Sequence, residues 1–237
     1  MLVYKCTSST NDIAAEYASN KDNDGLVVFA EEQTAGRGRA RRKWFSGPGD
    51  SILCSILLTR YEGGGELLSL ASAVAVAEAV ADVSGADAKI KWPNDVRLNS
   101  KKVAGILLES VRVGGRTAYI VGMGINCHQS RLCFPRQLRS TATSIDIETG
   151  ATVDRTALAG QLLTRFEHWY NRARKTPGDV IGRWQEMSIL FHHRVELVYN
   201  GRRFRGTCIG TDPDRGLVVQ LDGGAVRMFD AAHTTII

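Results

Sequence analysis

Short apolar runs alternate with helical hydrophobic spacing along the first half of the chain. The apolar runs at 25–32 and 51–59 are bounded by turn-forming residues and predict two short buried strands. A helix is predicted over 9–19, with Ser9 at its N-cap and Asp12 three positions later, as in a capping box. The order of these elements indicates a mixed helix-and-strand fold.

The middle of the chain continues this mixture. Residues 66–83 are predicted to form an amphipathic core helix. Its apolar face consists of Leu67, Leu70, Ala71, Val74, Ala77, Val80 and Ala81. The other predicted elements are a strand at 88–92, a hairpin of 102–110 and 117–126 around Gly114-Gly115, and two helices at 154–176 and 178–187.

The pattern changes from Arg194 onward, where polar and apolar residues alternate. Turn sequences at 200–201, 212–216 and 222–224 recur about ten residues apart, which is typical of a small all-β module that forms a partly closed barrel. We therefore predict an α+β main domain over residues 1–188 and a small β-barrel domain over residues 189–237.

The composition suits a folded cytoplasmic protein. The chain is 43% hydrophobic, so it can bury a substantial core, and its five cysteines are scattered without a CxxC pair. No run of about 18 apolar residues occurs, so we expect no membrane span. Cys127, His128 and Cys133 lack a second ligand cluster at zinc spacing, so no metal held by protein groups alone is expected.

The net charge of +5 is concentrated in one stretch, EEQTAGRGRARRKWFS at 31–46. The stretch matches neither the Walker A pattern nor the GxGxxG pattern. Its glycines let the backbone wrap an anion, and its arginines can bind phosphate oxygens through paired hydrogen bonds. By itself the stretch is compatible with a solvated loop, a nucleic-acid patch or a phosphate clamp that an anionic ligand would order.

Three further segments carry candidate chemistry. KWPND (91–95) places polar groups just past the end of a predicted strand, although Pro-Asn-Asp is also ordinary turn chemistry. Two lysines enter the strand that contains Gly105, or are simply surface residues at its start. In VGMGIN (121–126) the glycines alternate, so they leave one strand face bare as a possible floor for a flat ligand.

Taken together, these motifs resemble biotin protein ligases. Ser9-Thr10-Asn11, the basic stretch, KWPND, KKVAGILLE and GMGIN follow the order and spacing of that family, and ATSI (142–145) and the C-terminal β module also fit. The resemblance implies a class II synthetase-like α+β fold, with a mainly antiparallel mixed sheet flanked by helices and an SH3-like C-terminal barrel. It also implies that biotin and ATP give biotinyl-5′-AMP, and that a carrier-protein lysine then takes the biotin.

The same resemblance assigns the site residues. It implies catalytic roles for Arg37, Lys102, Asp95 and Lys91. It implies biotin binding by Ser9, Thr10, Asn11, Gln33, Gly36, Arg37, Gly38, Arg39, Lys102, Gly105, Ile106, Gly122 and Gly124. It implies ATP binding by Arg39, Arg42, Trp44, Asn94, Lys102 and Asn126, with Mg²⁺ carried mainly by the phosphates of ATP.

The implied partner is a biotin carboxyl carrier protein of a biotin-dependent carboxylase. A homodimer is common in the family. Because the Ser-Thr-Asn motif begins at residue 9, we expect a ligase without the N-terminal DNA-binding domain of some members. The alternatives are a lipoate-type acyl protein ligase, a nucleic-acid-binding protein that uses the basic loop, and a non-catalytic biotin-binding module.

Overall fold

A computed structural model describes residues 1–237 except the side chain of Arg41. A seven-stranded sheet runs through the main part of the fold in the order β1-β2-β3-β7-β6-β5-β4. Its strands are β1 (Leu2–Tyr4), β2 (Leu26–Ala30), β3 (Ser51–Leu58), β4 (Lys89–Lys91), β5 (Asp95–Leu98), β6 (Lys101–Val113) and β7 (Arg116–Asn126). β1 pairs with β2 in parallel and the other neighbours are antiparallel, which confirms the predicted mixed, mainly antiparallel sheet.

Helices flank this sheet. They are α1 (Thr10–Glu16), α2 (Gly65–Ser84), α3 (Ile145–Thr149), α4 (Arg155–Lys175) and α5 (Pro177–Met187). α2 packs against the sheet as well as against α4 and α5, so it is buried on nearly all sides and not on one face as predicted. α2 is long and apolar enough to span a membrane, but 72% of its apolar window is buried inside the protein, which is typical of a core helix.

The start of α1 differs from the predicted capping box. Ser9 does occupy the N-cap with an extended backbone, but its side chain makes no capping hydrogen bond. Asp12 pairs instead with Arg37, and its other carboxylate oxygen accepts a hydrogen bond from the Ser8 hydroxyl at 3.4 Å. The predicted start of the helix near residue 154 is confirmed, and Asp154 caps α4, since its Oδ1 accepts hydrogen bonds from the backbone amides of Thr156 and Ala157.

The C-terminal strands form a second sheet, in which all pairs are antiparallel and the order is β11-β10-β9-β8-β12. They are β8 (Arg194–Tyr199), β9 (Arg202–Asp212), β10 (Gly216–Leu221), β11 (Val226–Phe229) and β12 (Thr234–Ile236). The three predicted turns join consecutive strands. Within the described residues β11 and β12 are the two edges, so the pairing is that of an open sheet.

One hydrophobic core serves both sheets. Buried residues of α2 and the main sheet belong to the same cluster as Val195, Leu197, Cys208 and Leu217 of the second sheet. The backbone continues this connection, because the Ile189 amide donates to the Ile90 carbonyl at 3.0 Å. The C-terminal strands are therefore held close to the end of β4, where the KWPND segment begins.

Candidate active site

Two adjoining pockets open where the basic stretch at 31–46, from here on called the basic loop, crosses β6 and β7. The inner pocket encloses about 460 Å³, part of it open to solvent, between the start of α1 and the β6–β7 hairpin. The outer pocket lies between the KWPND segment, the loop at 134–142 and the C-terminal residues 232–236. Their linings share Gly38, Trp44, Asn94 and Lys102, so these residues form the boundary at which ligands in the two pockets would meet.

Glycines shape the floor of the inner pocket. Gly105 of β6 lies opposite Gly124 of β7, and a Cβ atom built on Gly124 would come within 2.7 Å of the Trp44 ring. A Cβ atom on Gly122 would overlap the side chain of Asn11. The predicted glycine face therefore exists, and it makes room for one aromatic and one amide side chain as well as for a ligand.

The N-terminus of α1 provides a buried polar corner of the inner pocket. The backbone amide and hydroxyl of Thr10 both donate to Gln33 Oε1, at 2.7 and 3.0 Å, and the Ser55 hydroxyl donates to Thr10 Oγ1 at 2.7 Å. Gln33 therefore uses its oxygen within the protein, and its amide nitrogen lies toward Gly36. Such fixed donors and acceptors suit a neutral polar ligand group such as a urea.

Arg37 lies in this inner region and is held by two carboxylates. Its Nε and Nη2 donate to Glu109 Oε1 and Oε2 at 3.0 and 2.8 Å, and Nη2 also donates to Asp12 Oδ1 at 2.7 Å. The hydrogen bond to Glu109, then the one to Asp12, holds the pKa of Arg37 above its usual value. The sequence predicts that this arginine closes over biotin and phosphate, and in the structure its guanidinium contacts two protein carboxylates.

Lys102 and Asp95 form an ion pair at the boundary of the two pockets. Lys102 Nζ lies 2.6 Å from Asp95 Oδ1 and 5.6 Å from the centroid of the Trp44 ring. Asn94 is fixed beside them, because its Nδ2 donates to the Ile106 carbonyl at 2.8 Å. Lys102 is therefore a cation with one carboxylate and one ring face around it, placed at the point where both pockets end.

The outer pocket carries the other predicted cations. Arg39, Arg42 and Lys91 line it. Burial lowers the pKa of Lys91, with nearby Arg97 adding to the effect, and burial also lowers the pKa of Arg39. A cluster of partly desolvated cations of this kind attracts a polyanion such as a triphosphate.

The basic loop is tied to the C-terminal residues through Arg39. Its Nη2 donates to the Ala231 carbonyl, and its Nη1 lies 3.5 Å from Asn94 Oδ1. The Ala231 amide in turn donates to Glu66 Oε1 at 3.0 Å. Burial raises the pKa of Glu66. The end of the second sheet is therefore part of the wall of the outer pocket.

Asn126 lies at the end of β7 with its side chain fixed. It is 3% exposed, and its Nδ2 donates to the Thr143 carbonyl at 2.9 Å. Gln129 Nε2 lies 3.3 Å from its Oδ1. Asn126 nevertheless lines the outer pocket, so the predicted nucleotide contact would be made by an amide that is already oriented.

The structure brings most of the predicted residues together. Of the biotin set, Gly36 and Arg39 do not line the inner pocket; the others do. The whole ATP set lines the outer pocket. The described groups that sequence reasoning missed are Asp12, Ser55, Glu66, Glu109 and Ala231. One signal pointed to Glu109, because it follows Gly105 by four positions in the same strand and so shares its face.

Comparison with known proteins identifies related chains. Residues 3–126 match the model of the biotin/lipoate A/B protein ligase family. The sequence is 36% identical over 203 residues to a biotin–[acetyl-CoA-carboxylase] ligase of Mycobacterium tuberculosis, covering 81% of this chain and 72% of that protein. It is 32% identical over 237 residues to the bifunctional ligase/repressor BirA of Bacillus subtilis, covering 98% of this chain and 72% of that protein.

A solved structure is similar along the whole chain. The biotin protein ligase from Aquifex aeolicus, in complex with biotin and ATP, superposes with a TM-score of 0.84 at 25% identity. The match covers 100% of this chain and 98% of that one. The similarity therefore extends over both sheets and includes the residues that line both pockets.

Proposed function

Since the chain belongs to the biotin/lipoate A/B protein ligase family, we propose that it is an ATP-dependent biotin protein ligase. In the first step the biotin carboxylate attacks the α-phosphorus of ATP, which gives biotinyl-5′-AMP and releases pyrophosphate. In the second step the amine of a carrier-protein lysine attacks the acyl carbon of this mixed anhydride, and AMP leaves.

The observation that carries the proposal is the junction of the two pockets at Lys102. A polar ring held by Thr10 and Gln33 would put the carboxylate tail of biotin toward Lys102, while the outer pocket takes ATP. The carboxylate and the α-phosphate are both anions, so they repel each other as they approach. An ammonium fixed between them lowers this repulsion and stabilises the charge of the transition state.

Asp95 is proposed to act in the second step. The attacking lysine must be neutral, and its free pKa is about 10.4, so at neutral pH it needs a group that accepts its proton or orients it. Asp95 lines the outer pocket beside Lys102. Once Lys102 is engaged by the ligand, the Asp95 carboxylate is available to the incoming amine.

The remaining lining of the outer pocket is proposed to bind the nucleotide. Arg39, Arg42 and Lys91 face the phosphates, Trp44 offers a ring to the adenine, and Asn94 and Asn126 offer amides. Mg²⁺ would accompany the pyrophosphate. The residues present fit an ion carried by ATP, because Asp95 is paired with Lys102 and the other charged side chains named here are cations.

We further propose a cytoplasmic homodimer that modifies a biotin carboxyl carrier protein. The edge strand β1 supports association through the main sheet, because its outer side is unpaired and Val3 is 65% exposed. We also propose a division at residues 188 and 189, with a curled, SH3-like second unit. Contact between Phe229 of β11 and Tyr199 of β8, at 5.4 Å between centroids, supports this curl.

The test is incorporation of biotin into a purified carrier domain. The chain is incubated with biotin, ATP and Mg²⁺, and pyrophosphate release and carrier mass are followed separately. We expect pyrophosphate from biotin and ATP alone, a mass gain of one biotin on the carrier, and a larger thermal shift with both ligands than with either. A response to lipoate or to DNA in place of biotin would contradict the proposal and select the corresponding alternative.

A further inference from the structure

We propose that Glu109 and Asp12 are positioning residues that clamp the basic loop over the inner pocket through Arg37. On this view Arg37 fixes the loop and does not act on the reacting phosphate. The inference rests on the proposed function, which it extends by giving two carboxylates a role and by giving Arg37 a different one.

Arg37 joins three separate parts of the fold. It comes from the basic loop, Asp12 comes from α1 and Glu109 comes from β6. The contact with Glu109 is a paired, two-hydrogen-bond arrangement, which fixes the plane of the guanidinium as well as its position. Because these side chains are about one-third to one-half exposed, the ion pairs alone would stabilise little; the geometry of the network is what matters.

The network extends to the floor of the pocket. Asn11 Nδ2 donates to Glu109 Oε2 at 2.7 Å, and the Asn11 side chain occupies the space left by Gly122. Glu109 therefore orients both the loop arginine above the inner pocket and the amide within it. Loss of this carboxylate would leave Arg37 with its single contact to Asp12 and Asn11 with the Ser55 hydroxyl only. Loss of Asp12 would leave the paired contact between Arg37 and Glu109 in place, so we expect it to have the smaller effect.

The contact between Arg37 and Glu109 lies far from Lys102, where the carboxylate and the α-phosphate are proposed to react. Glu109 is opposite Ile120, while Gly105, the position next to the Lys102 ammonium, is opposite Gly124. Four residues of β6 separate these two levels, which corresponds to roughly 13 Å of strand. A guanidinium held at Glu109 is therefore at the end of the inner pocket away from the reacting carboxylate and phosphate.

The position of Arg37 determines the position of the rest of the basic loop. The backbones of Arg37 and Lys43 form an isolated antiparallel β-bridge across the loop. Beside it, the Trp44 amide donates to the Gly36 carbonyl at 3.0 Å. Trp44 covers Gly105 and Gly124 at the pocket boundary. The fixed position of Arg37 therefore passes through two backbone contacts to the ring that closes the pocket, and it should slow the escape of biotinyl-AMP.

A double-mutant cycle tests the clamp. We compare Glu109→Ala, Arg37→Ala and the double variant, with Glu186→Gln as matched control, because Glu186 pairs with Arg183 on the exposed side of α5. Each clamp variant should raise KM for biotin and the release rate of biotinyl-AMP about 10-fold or more, while kcat for pyrophosphate release changes less than about 3-fold. The double variant should be no worse than the worse single variant.

Two further measurements keep the outcome decisive. If the carboxylate positions Arg37, Glu109→Asp should release biotinyl-AMP more slowly than Glu109→Ala does, although faster than the wild type. Trypsin should cut the basic loop faster in Glu109→Ala than in the wild type or Glu186→Gln, a readout that does not need activity.

If Arg37→Ala lowers kcat about 100-fold and does so equally without Glu109, the clamp is refuted. A wild type that does not ligate biotin would refute the proposed function instead, whatever the loop does.

Discussion

Lys102 and Asp95 neutralise each other across two neighbouring strands, with Nζ and Oδ1 2.6 Å apart. Each is only partly exposed, at 31% and 24% of the side chain. The pair keeps a cation and a carboxylate ready at the boundary of the two pockets without leaving either unpaired. An incoming carboxylate or phosphate can therefore replace Asp95 at Lys102 and release Asp95 for a second partner.

Replacement of Lys102 should stop the first step. Lys102→Ala removes the cation between the two reacting anions, so we expect pyrophosphate release from biotin and ATP to fall at least about 100-fold, as for the loss of other charge-stabilising donors. Lys101→Ala is the control, because the neighbouring lysine approaches Glu148 at 3.9 Å and does not line either pocket. Equal activity of the two variants would exclude a role for Lys102.

Replacement of Asp95 should separate the two steps. We expect Asp95→Asn to retain pyrophosphate release and to transfer biotin to the carrier about 10- to 100-fold more slowly at pH 7. The defect should shrink as the pH approaches 10, because the carrier lysine then loses its proton to solvent. Asp87→Asn, which removes an exposed partner of Lys89, serves as control. A defect that does not depend on pH would contradict proton transfer to Asp95.

A single methyl group in the pocket floor should weaken ligand binding. In Gly124→Ala the added carbon would lie 2.7 Å from the Trp44 ring, so the ring must leave its place at the boundary of the two pockets. We expect at least a 10-fold loss of biotin affinity by calorimetry. Gly160→Ala in α4 meets nothing within 4 Å and should leave affinity unchanged while stabilising the helix by about 0.5–1 kcal/mol.

Glu66 should make the stability of the protein pH-dependent. Burial raises its pKa, so the folded protein holds this proton more tightly than the unfolded chain. The resulting stabilisation is complete below the ordinary carboxyl range and is lost as the pH rises through the raised value. From about pH 4 to pH 7, the free energy of unfolding of wild type should therefore fall relative to that of Glu66→Gln.

Urea unfolding at several pH values measures this difference. Glu62→Gln provides the comparison, because Glu62 is exposed on the neighbouring segment. The Glu62→Gln variant measures the effect of removing one exposed carboxylate from the same segment, and the course of Glu66→Gln is compared with it and with that of the wild type. If the unfolding free energy of Glu66→Gln runs parallel to that of the wild type at every pH, the burial of Glu66 has no energetic effect.

The sequence predicted those features whose cause is local. The β6–β7 hairpin follows from Gly114 and Gly115, which both adopt positive φ in the two-residue turn. The predicted start of α4 near residue 154 is local too, because Asp154 caps the helix through its own side chain. By contrast, β5 is four residues long and starts two residues after Pro93, so it carries too little pattern to be recognised. The full burial of α2 depends on α4 and α5, and the hydrophobic pattern of the α2 sequence holds no information about these distant helices.

The same distinction holds for the site. Most of the residues predicted for the site line the two pockets, and they lie in short motifs of unusual composition that could be recognised one by one. Glu109 could not be given its role in this way, because its partner Arg37 is 72 residues earlier. Likewise nothing near Arg39 indicates that its guanidinium reaches the carbonyl of Ala231. Such contacts depend on how distant segments are placed, which is a property of the folded chain.

The shared core beneath both sheets has a consequence for how this protein can be divided. Because Leu197, Cys208 and Leu217 are buried in the same cluster as α2, a chain cut after residue 188 would expose apolar side chains on the catalytic side as well as on the detached side. Heating should therefore melt the two sheets in one transition. Exchange of residues 189–237 between relatives should succeed only when the facing residues of α2 and α5 are exchanged with them.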